Sequence, residues 1–327
     1  MLPKVSYSDL AEATGAFPAS NLIGAGKYSR VYKGVLLFKE EENSNKEAHT
    51  VAVKVFNLQQ LGSSKSFMAE CEALRFIRHR HLIRNITCCS TIDYSGNDFK
   101  ALVFDYIPNG NLHRWLHHEK DDHEPLSPLS LTQRLNIAIG IADALDYLHH
   151  NCQSSVIYCD LKPSNILLRE DFSACISDFG LAKLLPDPIT KSLVESESSI
   201  RIRGSIGYVP PEYREGGPVS TTGDIYSFGV LLLELFTGRN PTEYMFNNWL
   251  TLYNFVQLAF PEQVMDIIDP NLFTVSVMES NAFNKMCECL VSIINVGLTC
   301  SKQSPVERLS MEHAAIELHK IKDGYAR

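Results

Sequence analysis

The stretch that decides the fold is Tyr158-Cys159-Asp160-Leu161-Lys162-Pro163-Ser164-Asn165, followed by the apolar Ile166-Leu167-Leu168. It sets an Asp, a Lys and an Asn within positions 160 to 165, between apolar segments. Thirteen residues after Asn165 comes Asp178-Phe179-Gly180. Asn and Asp offer hard oxygens, which suit Mg2+. Taken alone, Asp178-Phe179-Gly180 also reads as an ordinary turn. The weight lies in these elements occurring together and in this order.

Upstream, apolar Ile23 leads into Gly24-Ala25-Gly26-Lys27-Tyr28-Ser29-Arg30-Val31. Glycines let backbone amides approach a phosphate with no Cβ in the way. A turn between two strands has the same look, so both readings stand. A dinucleotide fingerprint would need a helix next, and a strand follows. Lys54 sits in the β-branched run Val51-Ala52-Val53-Lys54-Val55-Phe56. A lysine there costs desolvation unless it is paired or faces a cleft. An edge-strand lysine that snorkels is the alternative. Glu70, sixteen residues on, offers a counter-charge from a helix predicted over 66–78.

Strand patterns cover 21–37, 51–56 and 100–106, and the polar 39–50 between the first two reads as an exposed hairpin loop. Pro108-Asn109-Gly110 then breaks the chain. Beyond it, 131–150 is an amphipathic helix opened by Ser130 as N-cap, and 222–236 and 284–299 read as buried helices. A β-rich first hundred residues thus joins a helix-rich remainder, with 108–111 as hinge. The 192–199 stretch is the one low-complexity patch and reads as a mobile loop.

The chain has 327 residues, 30 basic and 38 acidic, a net charge of −8, with 45% hydrophobic and 21% charged residues. These values exclude a disordered chain, a collagen-like chain and a disulfide mini-protein. The acidic balance argues against nucleic acid as a partner. The longest apolar run, 228–236, is broken by Glu234 and is far short of the about 20 residues a bilayer span needs. The opening MLPKVSYSDL reads as lacking an apolar signal-peptide core, and Leu2 stands where myristoylation would need Gly. Nine scattered cysteines read as reduced, buried thiols in a reducing cytosol. The pairs His117-His118 and His149-His150 suggest no metal and read as surface or helix-end histidines.

At this point the chain resembles a eukaryotic protein kinase. Glycine-rich loop, strand lysine, catalytic loop and Asp-Phe-Gly come in the family's order, and Pro210-Pro211-Glu212 stands where the family shows Ala-Pro-Glu. The likeness covers about 17–322. The 7–14 segment, Gly204-Ser205-Ile206-Gly207-Tyr208 and Gly223-Asp224-Ile225-Tyr226-Ser227-Phe228-Gly229 bring it close to plant leucine-rich-repeat receptor-like kinases. The nearest group is that of the immune pattern-recognition receptors. The resemblance implies an α+β, bilobal kinase fold. A juxtamembrane-like segment (1–16) leads to an N-lobe (17–106) with a five-stranded antiparallel sheet and one helix. A hinge and mainly helical C-lobe (107–322) follow, then a tail (323–327), with ATP between the lobes.

It also implies roles. Ile23, Gly24, Gly26, Val31, Ala52 and Leu167 would enclose ATP. Phe104 would be the gatekeeper, Asp105 and Ile107 would meet adenine through the backbone, and Asn111 the ribose. Lys54, oriented by Glu70, would hold the α/β-phosphates, and Asn165 and Asp178 would ligate Mg2+, with Mn2+ as alternative. Asp160 would position and deprotonate a substrate Ser or Thr hydroxyl while Lys162 neutralises the γ-phosphate. Phe179 and Gly180 would complete the Asp-Phe-Gly turn. Glu212 and Arg308 would form a buried ion pair, and Asp224 would cap catalytic-loop amides; an N-cap for its own helix is the other reading. Ser192, Ser196, Ser198 and Ser199 are candidate phosphosites.

Four positions depart from the family pattern. Ser29 replaces the third glycine. Cys159 replaces the arginine before the catalytic Asp, which makes the chain a non-RD kinase. Tyr158 replaces a histidine that packs on Phe179. Asn85 falls at or near a β4 position where an apolar residue is expected. The reading is therefore an active serine/threonine kinase, with a weakly active or inactive allosteric scaffold as alternative. ATP, a protein substrate and a co-receptor kinase are the implied partners. The place is the cytoplasm, at the plasma membrane if the chain is the intracellular part of a receptor. A fragment, a truncated gene and a free kinase remain open.

Overall fold

The computed structural model describes residues 4–39, 46–117, 127–185, 204–246, 250–273 and 280–326. The four candidate phosphosites, His118 and the centre of the acidic stretch at 40–45 lie outside them. The described chain forms two compact units: Met1–Pro108 with Asp178–Gly180, and Asn109–Ser177 with Leu181–Arg327.

The first unit contains α1 (Tyr7–Thr14), β1 (Leu22–Ala25), β2 (Ser29–Lys39), β3 (Lys46–Phe56), α2 (Ser63–Phe76), β4 (Asn85–Ile92) and β5 (Asp98–Asp105). The strands make one antiparallel sheet in the order β1-β2-β3-β5-β4. β3 begins at Lys46, so the loop expected over 39–50 is a strand from 46 onward. Backbone pairing with β2 overrides the polar composition there. Strand side chains alternate between faces. Leu36, Val51, Val53, Ala101 and Val103 fill one face and pack with Leu10 of α1. The helix α1 thus lies within the residues read as a separate juxtamembrane-like segment, and it is a second helix of this unit. Its end presses on β2 so closely that a Cβ on Gly34 would lie 2.9 Å from the Ala13 carbonyl oxygen.

The register puts the other set on the opposite face. Gly24 pairs with Val31, Val31 with Lys54, and Ala52 with Phe104. Phe56 shares that face and meets Phe67 of α2 edge-on at 5.2 Å. This contact lays α2 along the Lys54 side of the sheet.

The second unit holds α3 (Leu112–Leu116), α4 (Leu131–Asp146), β6 (Val156–Ile157), β7 (Ile166–Leu168), β8 (Ala174–Ile176), β9 (Lys183–Leu184), α5 (Pro211–Arg214), α6 (Thr221–Thr237), α7 (Leu252–Ala259), α8 (Val264–Ile267), α9 (Ser280–Cys300) and α10 (Met311–Ala326). Ser130 caps α4 in a reciprocal capping box with Gln133. The helix gives way at Tyr147–Asn151 to a π-helical turn instead of running on to His150. α4 and α6 are buried nearly all round, as apolar runs of this length require. α6 and α9 approach backbone to backbone: a Cβ on Gly229 would lie 2.6 Å from the Ser301 nitrogen.

All nine cysteines are free thiols. Cys88 is exposed, against the expectation of burial, because β4 alternates and Cys89 takes the core side.

Candidate active site

Lys54 is buried, and its ammonium lies 2.7 Å from Glu70 Oε2 and 2.9 Å from Asp178 Oδ1. Burial alone would push that ammonium's pKa down. The two carboxylates more than offset this, so it is raised and the charge is held. Glu70 is fully buried; burial raises its carboxyl to about 6, against the pull of Lys54. Asp178 sits at φ +56°. Its carboxylate stays half-exposed while one oxygen takes both Lys54 and the Gly180 amide, at 3.3 Å. Gly24, Val31, Ala52 and Phe104 share the sheet face of Lys54, with Asp105 at the end of β5 and Ile107 buried just beyond it. Ile23 is exposed on β1, and the Gly26 amide donates to the Ser29 carbonyl at 2.8 Å.

In the second unit the Asp160 carboxylate is fully engaged. Asp160 Oδ1 accepts from the Ser205 hydroxyl at 2.7 Å. Its Oδ2 accepts from Asn165 Nδ2 at 3.1 Å and lies 3.0 Å from Lys162 Nζ. Lys162 Nζ also donates to Ser205 Oγ at 2.6 Å. These donors fix the carboxylate's orientation. Ser205 was quoted in the sequence only as part of a family motif. Nothing in its local pattern announces a partner 45 residues away, and only the folded chain brings it to Asp160.

The loop itself is hung from Asp224. Its Oδ2 accepts the Tyr158 amide at 2.7 Å and its Oδ1 the Cys159 amide at 2.8 Å. The N-cap of α6 is Ser220, so the alternative reading of Asp224 as N-cap fails. Cys159 holds φ +71°, a strained region for a non-glycine residue that persists only where the surroundings enforce it. His149 contradicts its reading as a surface residue: it is buried, and Nε2 lies 3.0 Å from Asp224 Oδ2. The π-helical turn carries it inward. The Tyr158 side chain is buried and its hydroxyl donates to the Ser177 carbonyl, so the histidine-to-tyrosine change leaves no unsatisfied hydroxyl.

Arg308 holds Glu212 through a two-pronged contact at 2.7 and 2.8 Å and spends its other donors on the Lys302, Gln303 and Thr222 carbonyls. Asn111 caps α3, accepting the Arg114 amide at 3.1 Å, and bridges Leu167 of β7. Asn85 opens β4 opposite Phe104, next to a register shift, and its Oδ1 is buried without a hydrogen-bond partner.

Comparison with known proteins gives the family. The family model described as protein tyrosine and serine/threonine kinase matches residues 18–318. The chain belongs to that protein kinase family. Among its relatives, an Arabidopsis thaliana protein described as a probable LRR receptor-like serine/threonine-protein kinase is 45% identical over 98% of the chain and 31% of the relative. The receptor kinase-like protein Xa21 of Oryza sativa subsp. japonica is 44% identical over 98% of the chain and 30% of its own length. The LRR receptor-like serine/threonine-protein kinase EFR of Arabidopsis thaliana is 42% identical, over 98% and 29%. The chain therefore spans about a third of the length of these curated relatives. No helix among the described residues is long and apolar enough to cross a membrane.

Kinases of this family use ATP and a divalent cation and act on protein substrates. Each unit offers a side-chain oxygen of the kind a hard cation takes. Asn165 spends Nδ2 on the Asp160 carbonyl and carboxylate, so its amide oxygen is the atom that would face a cation. Asp178 presents a half-exposed carboxylate. All are oxygen donors.

Proposed function

We propose that the chain is an active serine/threonine kinase domain that transfers the γ-phosphate of ATP to Ser or Thr hydroxyls, within a plant receptor of the immune type. One observation carries the reading: Lys54 is clamped by Glu70 and Asp178, and Asp160 is oriented by Ser205, Asn165 and Lys162. Phosphoryl transfer asks mainly for alignment and charge neutralisation, and each cluster supports the reading by holding charged groups of the kind that chemistry uses.

In this mechanism Lys54 binds the α/β-phosphates, and Val31, Ala52 and Phe104 form the surface for adenine, with Ile23, Gly24, Gly26 and Leu167 completing the enclosure. Asp105 and Ile107 offer backbone groups to the base, and Asn111 the ribose contact. Asn165 and Asp178 would hold Mg2+, or Mn2+, which when bound would supply charge neutralisation at the phosphates. Asp160 orients the substrate hydroxyl and takes its proton. Lys162 faces the charge that develops on the transferred group. Ser205 joins Asp160 to Lys162 and stands where an incoming hydroxyl would compete for the same oxygen. Cys159 carries no charge, so organisation of Asp160 rests on Asp224 instead of on a phosphorylated activation segment. The likeness to Xa21 and EFR supports a place on the cytoplasmic side of the plasma membrane and a co-receptor kinase as partner.

A second reading, an allosteric domain with little transfer activity, is favoured by the unsatisfied Asn85 oxygen opposite Phe104, a cost of about 1–3 kcal/mol. The deciding experiment incubates wild type and Asp160→Asn with labelled ATP, Mg2+ and a generic basic substrate. Incorporation by wild type alone supports the enzyme. ATP binding without incorporation by either supports the allosteric domain.

A further inference from the structure

His113 and His117 stand four residues apart at α3 and its C-cap, with ring centroids 5.0 Å apart. His117 Nε2 lies 2.7 Å from Glu234 Oε1 of α6. Ligand atoms of His113, His117 and Glu234 all fall within 4.8 Å of one another. None of the three takes part in the phosphoryl-transfer site described above. Among the described residues this is the one group of at least three such side chains close enough to hold an ion.

The surroundings favour a cation. Glu234 is fully buried in the longest apolar run of the sequence. A lone carboxylate is expensive there unless paired or coordinated. Its Oε2 accepts the Tyr208 hydroxyl, which aims Oε1 at the histidines. A hydrogen bond from behind that orients a ligating carboxylate is the usual outer shell of a metal site. A simple His117–Glu234 pair would need no second imidazole, yet His113 presents one from the same helix face.

We propose that His113, His117 and Glu234 bind a borderline transition-metal cation, Zn2+ foremost, with water as fourth ligand. Two imidazoles and a carboxylate suit Zn2+ in a tetrahedral site. Ligand atoms in such a site lie about 3.3 Å apart for bonds of about 2.0–2.1 Å. Binding therefore opens the His117–Glu234 contact slightly and draws His113 in, through side-chain rotations that two half-buried histidines allow. The ion would tie α3, α6 and the segment carrying Tyr208 together.

The test titrates Zn2+ alone into chelator-stripped full chain by calorimetry, and Co2+ alone by visible absorption. Expected are one strong site per chain, a tetrahedral cobalt spectrum without thiolate charge transfer, and affinity at least about tenfold weaker in His113→Ala and in Tyr208→Phe. Unchanged affinity in a folded His113→Ala, a thiolate signature, or no strong site overturns the proposal. Should His113→Ala not fold, His113→Gln keeps the volume. On wild type, histidine acylation by diethyl pyrocarbonate gives an independent reading: Zn2+ must protect His113 and His117, and labelling of both at saturating Zn2+ overturns it.

Discussion

Removing the Asp224 carboxylate should detach the catalytic loop while leaving the lysine half of the site intact. Asp224→Ala strands the Tyr158 and Cys159 amides, which are bound at 2.7 and 2.8 Å. Each buried, unsatisfied N–H costs about 1–3 kcal/mol, so the loss is about 2–6 kcal/mol. The loss of the His149 contact adds to this. Asp224→Asn keeps one acceptor oxygen and turns an NH2 toward the other amide, so about 1–3 kcal/mol is lost. The strained Cys159, no longer held, relaxes and carries Asp160 with it. A displacement of about 1 Å costs a reaction on the order of a hundredfold. The assay is kcat and KM for ATP with a generic substrate, next to urea unfolding of wild type and both variants. The expected pattern is stability in the order wild type, Asn, Ala. In folded Asp224→Asn, kcat falls at least about tenfold with KM for ATP within about twofold. An undiminished kcat in that variant, or a fall in ATP affinity proportional to the fall in kcat, would refute the reasoning.

Two further outcomes follow from the charged side chains of Glu70 and Arg308. Because burial raises Glu70 to about 6, above its ordinary value, the folded state holds this proton more tightly than the unfolded chain. Its contribution to stability is present below the unfolded pKa of 4.5 and is lost as pH rises through about 6. The effect on binding has the opposite sign: below about 6 the protonated acid releases Lys54, so ATP affinity falls as pH falls. Glu70→Gln should flatten that inflection in a pH series of ATP binding; an identical profile in both proteins would count against the assignment. For the fork between buried Arg308 and half-buried Glu212, Arg308→Leu should lower the unfolding free energy by at most about 3–5 kcal/mol, because water reaches the orphaned Glu212 carboxylate. Arg308→Lys should restore only part of it, because an ammonium cannot make both contacts. An unchanged urea midpoint for Arg308→Leu would show that the pair contributes nothing.

Local chemistry made much of this protein legible in its sequence. The β-branched run around Lys54, the capping serine before Leu131 and the buried apolar runs at 222–236 and 284–299 declare their elements through short-range preference and periodicity. The order of Gly24, Lys54, Asp160, Asn165 and Asp178 declared a chemistry. The polar composition of 46–50 misled, because pairing with β2 outweighs propensity there. α1 is short, yet Ser6 and Asp9 close a capping box at its start and Gly15 ends it, while Leu10 sets its place in the sheet core.

What tertiary structure decided lies between residues far apart in the chain. Ser205 reaches Asp160 across 45 positions, His149 reaches Asp224 across 75, and Arg308 reaches Glu212 across 96. The sequence by itself determined which side chains can bind phosphate, move a proton or ligate a cation, since those capacities belong to the residues. Which of them share a hydrogen bond depends on long-range contacts that no local window contains. That is why Asp160, Lys162 and Asn165 were readable as a group, while Ser205, His149 and the meeting of His113, His117 and Glu234 appeared only once the chain was folded.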